Sequence, residues 1–332
     1  SRGLGDVYKR QLLRFARTDL STDEIFALAR SVAYFYQRPA GDGVHALDLI
    51  IRLIDRREEF ESRLPGVGSM IDAIAREAGL YPYIAGRGGW RDELAIELMR
   101  APGLPEIVFH IEQALVFQRL LEGRSIILSA PTSFGKSLLI DALIAYRRPK
   151  TVVAVVPTIA LLDEFRRRME ARFLDYQIVT RSQEEPTKSY VIYIGTQERL
   201  LERPKIGNID LFIIDEFYKL DLERNDKRSL ALNAVLAKYG KAAKQIYFLG
   251  PSIDDVPNVK KFRPEIEFVR TRYSPVTADI IDRTSVGPSP EQLVSDLLSV
   301  GRSSSLIYVQ SPPAAARLAN ELIKSKLHRK SD

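Results

Sequence analysis

The sequence predicts an α/β fold: a parallel sheet with helices on both faces, preceded by an α-helical domain and followed by a second, partial α/β segment. Three observations predict it. Residues 12–104 carry helical periodicity with capping signals, residues 105–275 alternate short β-rich apolar runs with amphipathic stretches, and the same alternation restarts in residues 276–332. Alternating strands and helices require crossover connections, and strands buried on both faces read as unbroken Val, Ile and Leu runs.

The elements follow in order. Ser1–Gln11, SRGLGDVYKRQ, lacks apolar periodicity and resembles a junction sequence, so it is set aside from the fold. A helix is expected over Asp23–Arg30, capped by Ser21-Thr22, with others over Ala46–Ile54, Gly68–Ala78 and Trp90–Arg100. Ala101-Pro102-Gly103-Leu104-Pro105 is a breaker cluster and marks the boundary of the helical domain. Strands are expected at Ser125–Ser129, Val152–Val156, Tyr190–Ile194, Leu211–Ile214 and Gln245–Leu249. Beyond the linker Arg272-Tyr273-Ser274-Pro275 come a helix at Glu291–Leu298, a strand at Ser305–Val309 and a helix at Ala314–Lys324.

Composition narrows the class. The 332 residues are 45% hydrophobic, enough for about two cored domains. No apolar run of about 18 residues and no signal-like N-terminus are present, which predicts a cytoplasmic protein with no membrane partner. The chain has no cysteine and three histidines, His45, His110 and His328, which removes disulfides, zinc-thiolate sites and thiol nucleophiles and speaks against a dedicated histidine metal site. The +6 net charge suits a polyanionic partner, although many soluble proteins carry as much.

Two motifs carry chemistry. Ala130-Pro131-Thr132-Ser133-Phe134-Gly135-Lys136-Ser137 lies between an apolar strand and a helical stretch, the order of a phosphate-binding loop. The loop backbone from Pro131 to Gly135, through the N–H groups of Thr132, Ser133, Phe134 and Gly135, would wrap phosphates at a helix N-terminus, Lys136 would neutralise the β- and γ-phosphates, and the Ser137 hydroxyl would ligate Mg²⁺. Ala130 replaces the usual first Gly and the bulky Phe134 precedes Gly135, so the pattern is met in relaxed form; the plainer alternative is a surface helix opening on Gly-Lys-Ser. Asp215-Glu216 ends the run Asp210–Ile214, at the strand end where ligands gather in parallel sheets. Asp215 would hold Mg²⁺ and Glu216 would polarise an attacking water; the alternative is a solvated carboxylate pair.

Together these motifs resemble superfamily 2 helicases with a DExx-type box, nearer the DExH and Ski2-like branches than strict DEAD-box proteins. The resemblance implies a RecA-like domain over residues 105–275 that binds ATP with Mg²⁺, and the start of a second RecA-like lobe over 276–332. Gln113, 17 residues before Ala130, is similar to the family's Q-motif glutamine, which reads the adenine edge; a solvated helix glutamine is the alternative. Pro157-Thr158 resembles motif Ia and Gly195-Thr196 motif Ib, implying contacts to a nucleic-acid backbone, though each also suits a plain helix cap. Ser252, in Gly250-Pro251-Ser252, stands where the family couples nucleotide state to strand contacts.

Ser305–Pro312 resembles the start of motif IV, while the Gln-x-x-Gly-Arg-x-x-Arg string that carries the family's arginine finger is missing, so a fragment ending inside the second lobe is expected. The implied function is an ATP-dependent helicase or translocase, catalysing through Lys136 and Glu216, acting on single-stranded DNA or RNA without sequence preference. Its helical domain is expected to offer a surface for a protein partner. The alternatives are a nucleotide-switched binding subunit without unwinding activity and a small-molecule phosphotransferase. The form of the loop together with an N-terminal helical region also resembles some bacterial defence and repair enzymes. Arg166-Arg167-Arg168 reads as a solvated helix face, with phosphate binding as the alternative, whereas Lys260-Lys261-Phe262-Arg263 reads as a candidate phosphate-binding cluster.

Overall fold

The computed structural model describes residues 2–37, 43–84, 86, 89–220, 227–254, 262–278, 307–309 and 311–324. Residues 1–277 form one compact unit, in which a helical region and a sheet each build their own core.

The helical region comprises α1 (Arg2–Phe15), α2 (Thr22–Tyr36), α3 (Gly43–Asp55), α4 (Arg57–Arg63), α5 (Val67–Glu77) and α6 (Trp90–Leu98). Ser21 opens α2 through a capping box: its Oγ accepts the Glu24 N–H at 3.3 Å and Glu24 Oε2 accepts the Ser21 N–H at 2.8 Å. Ile25, Leu28 and Val32 then meet Leu49, Ile50 and Leu53 of α3 and Ile71 of α5, all fully buried. The four helices expected from sequence correspond to α2, α3, α5 and α6. The N-terminal residues set aside instead form most of α1. Tyr8, Leu12 and Phe15 lie at helical spacing and pack on the same core, and the Tyr8 hydroxyl donates to Asp48 at 3.1 Å. That face straddles Gln11, so a boundary drawn there hides its periodicity. The expected breaker at Ala101–Pro105 is likewise structured: β1 (Arg100–Ala101) and β2 (Leu104–Val108) pair antiparallel around Gly103, whose φ of 81° supplies the turn.

The sheet follows with α7 (Ile111–Leu121), β3 (Ile126–Ser129), α8 (Lys136–Arg147), β4 (Thr151–Val155), α9 (Ile159–Arg172), β5 (Gln177–Val179) and β6 (Val191–Gly195). It continues with α10 (Gln197–Glu202), β7 (Ile209–Asp215), α11 (Lys227–Val235), β8 (Ala243–Gly250) and β9 (Glu267–Arg270). Seven parallel strands run in the order β5-β6-β4-β7-β8-β3-β9. Successive residues feed opposite cores: Ala154 and Ile213 face the α7, α8 and α9 side, whereas Val153 and Phe212 face α10 and α11. This double burial produces the unbroken apolar runs. The edge strands β5 and β9 escape sequence detection because they are short and only half-buried.

One register fact positions the site. Strand β8 separates β3 from β7, with Gly250 opposite Ser129 and Leu249 opposite Asp215. The loops leaving all three strands therefore emerge side by side at the carboxyl-terminal edge, where open parallel sheets bind ligands.

The second unit spans residues 278–332. Its described helix, Pro312–Lys324, contains the expected Ala314–Lys324. The helix expected at Glu291–Leu298 lies outside the described residues. The strand expected at Ser305–Val309 is not found in its described part: residues 307–309 pair with no described strand, and a strand needs a ladder partner. No helix among the described residues is long and apolar enough to cross a membrane.

Candidate nucleotide and nucleic-acid site

After β3 the chain makes a short 3₁₀ turn over Thr132–Phe134 and enters α8 at Gly135, whose φ of 78° is left-handed. Glycine is required here twice over. A side chain would be strained at that φ, and its Cβ would come within 2.5 Å of Gln113 Nε2. The bulky Phe134, unexpected at this place, is fully buried in the core beneath the loop and anchors the turn.

Lys136 is 9% exposed, and its Nζ donates to the carbonyls of Ala130 at 2.9 Å and Pro131 at 2.8 Å. Burial pulls its pKa below the usual lysine value, opposed by the negative charge of Asp215. The Asp215 carboxyl is pushed above the usual carboxylate range, first by burial and then by its neighbour Glu216, with Lys136 and Arg168 opposing. Loop lysine and strand-end carboxylate thus sense one another's field across the edge of the sheet.

Glu216 has a left-handed φ of 59°, uncommon for a residue with a side chain, and its N–H donates to Asp215 Oδ1 at 2.9 Å. Its carboxylate is ion-paired with Lys219, one turn on. Phe217 behind it is fully buried, and a side chain at Gly250 would come within 2.8 Å of its ring. The Asp-Glu pair is thereby packed against the end of β8.

Gln113 is buried with its carboxamide engaged at both ends: Oε1 accepts the His110 N–H at 3.1 Å and Nε2 donates to the Phe134 carbonyl at 2.9 Å. In this geometry it braces the loop, and reading an adenine edge requires it to exchange those bonds. His110, which sequence reading left without a role, caps α7. Its Nδ1 accepts the Gln113 N–H at 3.2 Å, so Nε2 carries the proton and donates to the Phe134 carbonyl at 3.2 Å. Burial lowers its pKa to about 4, keeping the ring neutral.

Of the expected nucleic-acid contacts, Thr158 is exposed and caps α9, accepting the Leu161 N–H at 3.2 Å. Pro157, Gly195 and Thr196 are buried at the same edge, and Gly195 has a packing reason, since a Cβ there would come within 2.8 Å of Leu200. A cavity of about 180 Å³ opens beside them, lined by Pro157, Gln197, Asp215, Lys219 and Arg228 among others. Ser252 is exposed on the loop after β8. The residue that ties that loop to the phosphate loop is Ser129, whose Oγ donates toward the carbonyls of Pro251 (3.2 Å) and Ile253 (2.9 Å) and accepts the Ile253 N–H at 2.8 Å. It is fully buried at the end of β3, and a strand-end serine carries no sequence signal for such a role.

The basic run on α9 is neutralised. Arg166 pairs with Asp163 and Glu170, Arg167 with Asp163, and Arg168 with the buried Asp141. That agrees with the solvated-face reading for Arg166 and Arg167 and makes Arg168 structural. Lys260 and Lys261 lie outside the described residues, while Arg263 donates to the carbonyls of Ala243 and Lys244, both at 3.0 Å.

The residues present fit a nucleoside triphosphate with Mg²⁺. A left-handed glycine frees the first amides of α8, an amine and a hydroxyl follow at Lys136 and Ser137, and Asp215 faces them from β7. Among the described residues no three His, Cys, Asp or Glu side chains converge on a metal site.

Known proteins resemble both parts of the chain. Residues 8–93 match the family model of the anti-bacteriophage protein B N-terminal domain, and residues 111–249 match that of the DEAD/DEAH box helicases. Anti-bacteriophage protein B of Escherichia coli (strain K12) is 36% identical over 295 residues, covering 83% of this chain and 40% of that protein. The chain thus spans two fifths of the length of that relative. Similar solved structures include a hypothetical ATP-dependent RNA helicase from Sulfolobus tokodaii, with TM-score 0.38 and 16% identity, over 63% of this chain and 66% of that one. The Pyrococcus furiosus Hef helicase domain gives TM-score 0.38 and 14% identity over 67% and 54%, and the DNA-bound DUF1998 helicase MrfA gives 0.36 and 16% over 48% and 27%. The span from α7 through β8, which carries Gln113, the phosphate loop and Asp215-Glu216, is thus the part of the chain that is similar to the DEAD/DEAH box helicases.

Proposed function

We propose that residues 105–275 are the ATP-binding lobe of a nucleic-acid helicase or translocase of the Ski2-like branch, which couples ATP hydrolysis to movement along single-stranded DNA or RNA. The observation that carries this reading is the convergence, at one edge of one sheet, of Lys136, Asp215-Glu216 and the exposed helix cap Thr158. When bound, Mg²⁺ would neutralise charge on the transferring phosphate. Ser137 and Asp215 would hold the ion, Lys136 would exchange the carbonyls of Ala130 and Pro131 for phosphate oxygens, and Glu216 would orient the attacking water. Thr158 and the amino end of α9 would contact a phosphate backbone, which predicts little sequence preference and a steep salt dependence. The helical region would receive a protein partner. The action against bacteriophage stated in the relative's name is proposed for the whole protein to which such a lobe belongs.

The Glu216–Lys219 ion pair favours a second reading, a nucleotide-switched binding subunit, because a carboxylate engaged by an ammonium is not free to orient water. Hydrolysis measured with and without single-stranded DNA and RNA separates the two. Strand-stimulated turnover that Glu216→Gln abolishes while nucleotide binding persists supports the motor. Nucleotide-dependent strand binding with no turnover supports the switch.

A further inference from the structure

The segment after β9 runs over the phosphate loop. Its start prolongs the β9–β3 pairing, with the Thr271 N–H donating to the Ser129 carbonyl at 3.0 Å. Tyr273 then lies face to face on the His110 ring, centroids 4.5 Å apart and planes 24° apart. That imidazole meets the Phe134 ring edge-on at 4.9 Å and hydrogen-bonds the Phe134 carbonyl, the acceptor that Gln113 also uses. One residue further, the Ser274 and Ser133 hydroxyls share a hydrogen bond of 2.9 Å. The loop from Ser133 to Gly135 is therefore clamped between the amino end of α7 and this strap.

The strap's other contacts reach the helical region. The Tyr273 hydroxyl donates to the Ala78 carbonyl at 3.2 Å, and the Tyr83 hydroxyl donates to the Pro275 carbonyl at 2.8 Å. Next to Ala78, Gly79 accepts the Ile111 N–H at 3.0 Å, and an added Cβ there would come within 2.2 Å of the Ile111 side chain. The carboxyl end of α5 is thus seated on the amino end of α7, the piece that holds the loop.

We propose that Tyr273 is a positioning residue for the phosphate loop, acting through His110, and that the strap couples the helical region to the affinity of that loop for nucleotide. Its affinity arm rests on the nucleotide-binding reading above. A contact that binds only the ordered loop favours the binding-competent arrangement, and a shared element biased from two sides makes the sides reciprocal.

The test uses the 332-residue chain with Tyr273→Ala, Tyr273→Phe and Ser274→Ala. Hydrogen exchange is followed at residues 133–137 and 78–80, and affinity is measured with a fluorescent ATP analogue. Tyr273→Ala should speed exchange over 133–137 without nucleotide and weaken the analogue about tenfold. Tyr273→Phe keeps the ring, so loop exchange and affinity should stay near wild type, while protection of residues 78–80 by the analogue is lost. Ser274→Ala, milder and away from the core, should weaken the analogue about threefold and serves should Tyr273→Ala fail to fold. Folded Tyr273→Ala and Ser274→Ala variants with wild-type loop exchange and affinity would overturn the proposal. A wild-type chain that binds no analogue overturns the nucleotide reading, and loop exchange in the variants then decides the positioning role alone.

Discussion

Helix α8 buries two charges that are treated in opposite ways. At its first turn, Lys136 is held by neutral backbone carbonyls. Further along, Asp141 is 1% exposed and faces two cations of α9, Arg168 Nε at 3.2 Å and Arg172 Nη1 at 3.3 Å. Those distances make ion pairs, but the directions are off, and Asp141 Oδ1, Arg168 Nε and Arg172 Nη1 all lack a hydrogen-bond partner. Burial raises the Asp141 pKa while both arginines oppose it. A cation bound to dipoles can exchange them for an anion at little cost, whereas a carboxylate bound to two guanidiniums cannot leave without stranding them. The first arrangement suits a ligand site; the second fastens the loop's helix to the helix that Thr158 caps.

The largest effect should therefore come from the charge that does no chemistry. Asp141→Ala leaves two guanidiniums short of a partner and should cost about 3–5 kcal/mol in urea unfolding. Nucleotide affinity of the folded variant should stay within about threefold of wild type. A loss of less than about 1 kcal/mol would show that the misdirected pairs hold nothing together.

Lys136→Met should invert that pattern. Turnover should fall roughly 10²–10³-fold, the usual consequence of removing one group aimed at developing charge. Stability should stay level or rise, because burial holds the folded pKa of Lys136 below its unfolded value. For such a group the folded state binds the proton less readily than the unfolded one, so stability rises with pH between the two pKa values. A thioether has no such cost. Urea unfolding at pH 7 and at pH 9 checks this, and a marked destabilisation would show Lys136 to be structural like Asp141.

The contrast between these two charges explains what the sequence reveals. Strands were legible because double burial writes unbroken apolar runs, as in Val152–Val155 and Leu211–Ile214. Lys136 and Asp215 were legible as candidates because a phosphate loop and its companion strand end have a set local order of residue types. Asp141, Arg168, Ser129 and Tyr273 were not, because each acts on a partner distant in the chain, and ordinary residues at helix and strand positions announce no such pairing. His110, in the same helical turn as Gln113, carries no sequence signal either, since its role depends on the Phe134 carbonyl that only folding brings near.

That histidine gives the next effect. Its pKa falls from 6.5 unfolded to about 4 folded, so the unfolded chain binds more protons between those values and stability rises with pH across that window. The full shift corresponds to about 3 kcal/mol, lost progressively as pH falls below 6.5 and the unfolded histidine protonates. His110→Asn supplies a helix-capping oxygen in place of Nδ1 and removes the titration. The difference in unfolding free energy between wild type and variant should therefore shrink or change sign from pH 7 to pH 4.5, and parallel profiles would contradict a buried neutral ring.

The amino-terminal edge of the same sheet supplies the smallest expected effect. Its cavity, about 570 Å³, is larger than the one beside Asp215 and is rimmed by Arg147, Arg148, Lys150 and Lys244. By volume and charge it competes with the carboxyl-terminal edge, yet its charges are spent on the surface. Arg148 is paired with Asp175, Lys244 with Asp210, Arg147 donates to the Leu121 carbonyl, and Lys150 is exposed. Among the described residues no buried charge faces an opposite one across the opening, and the left-handed Gly123 in its lining follows the end of α7 and so presents no helix amides to it. Exposed charges add little to affinity at physiological salt, so Lys150→Ala should leave nucleotide affinity and turnover within about twofold and stability within about 0.5 kcal/mol. The same measurements made on Lys136→Met provide the scale. A tenfold loss in Lys150→Ala would move the candidate site to the opposite edge, because it would make cavity size rather than converging buried charge the better guide to where this sheet binds its ligand.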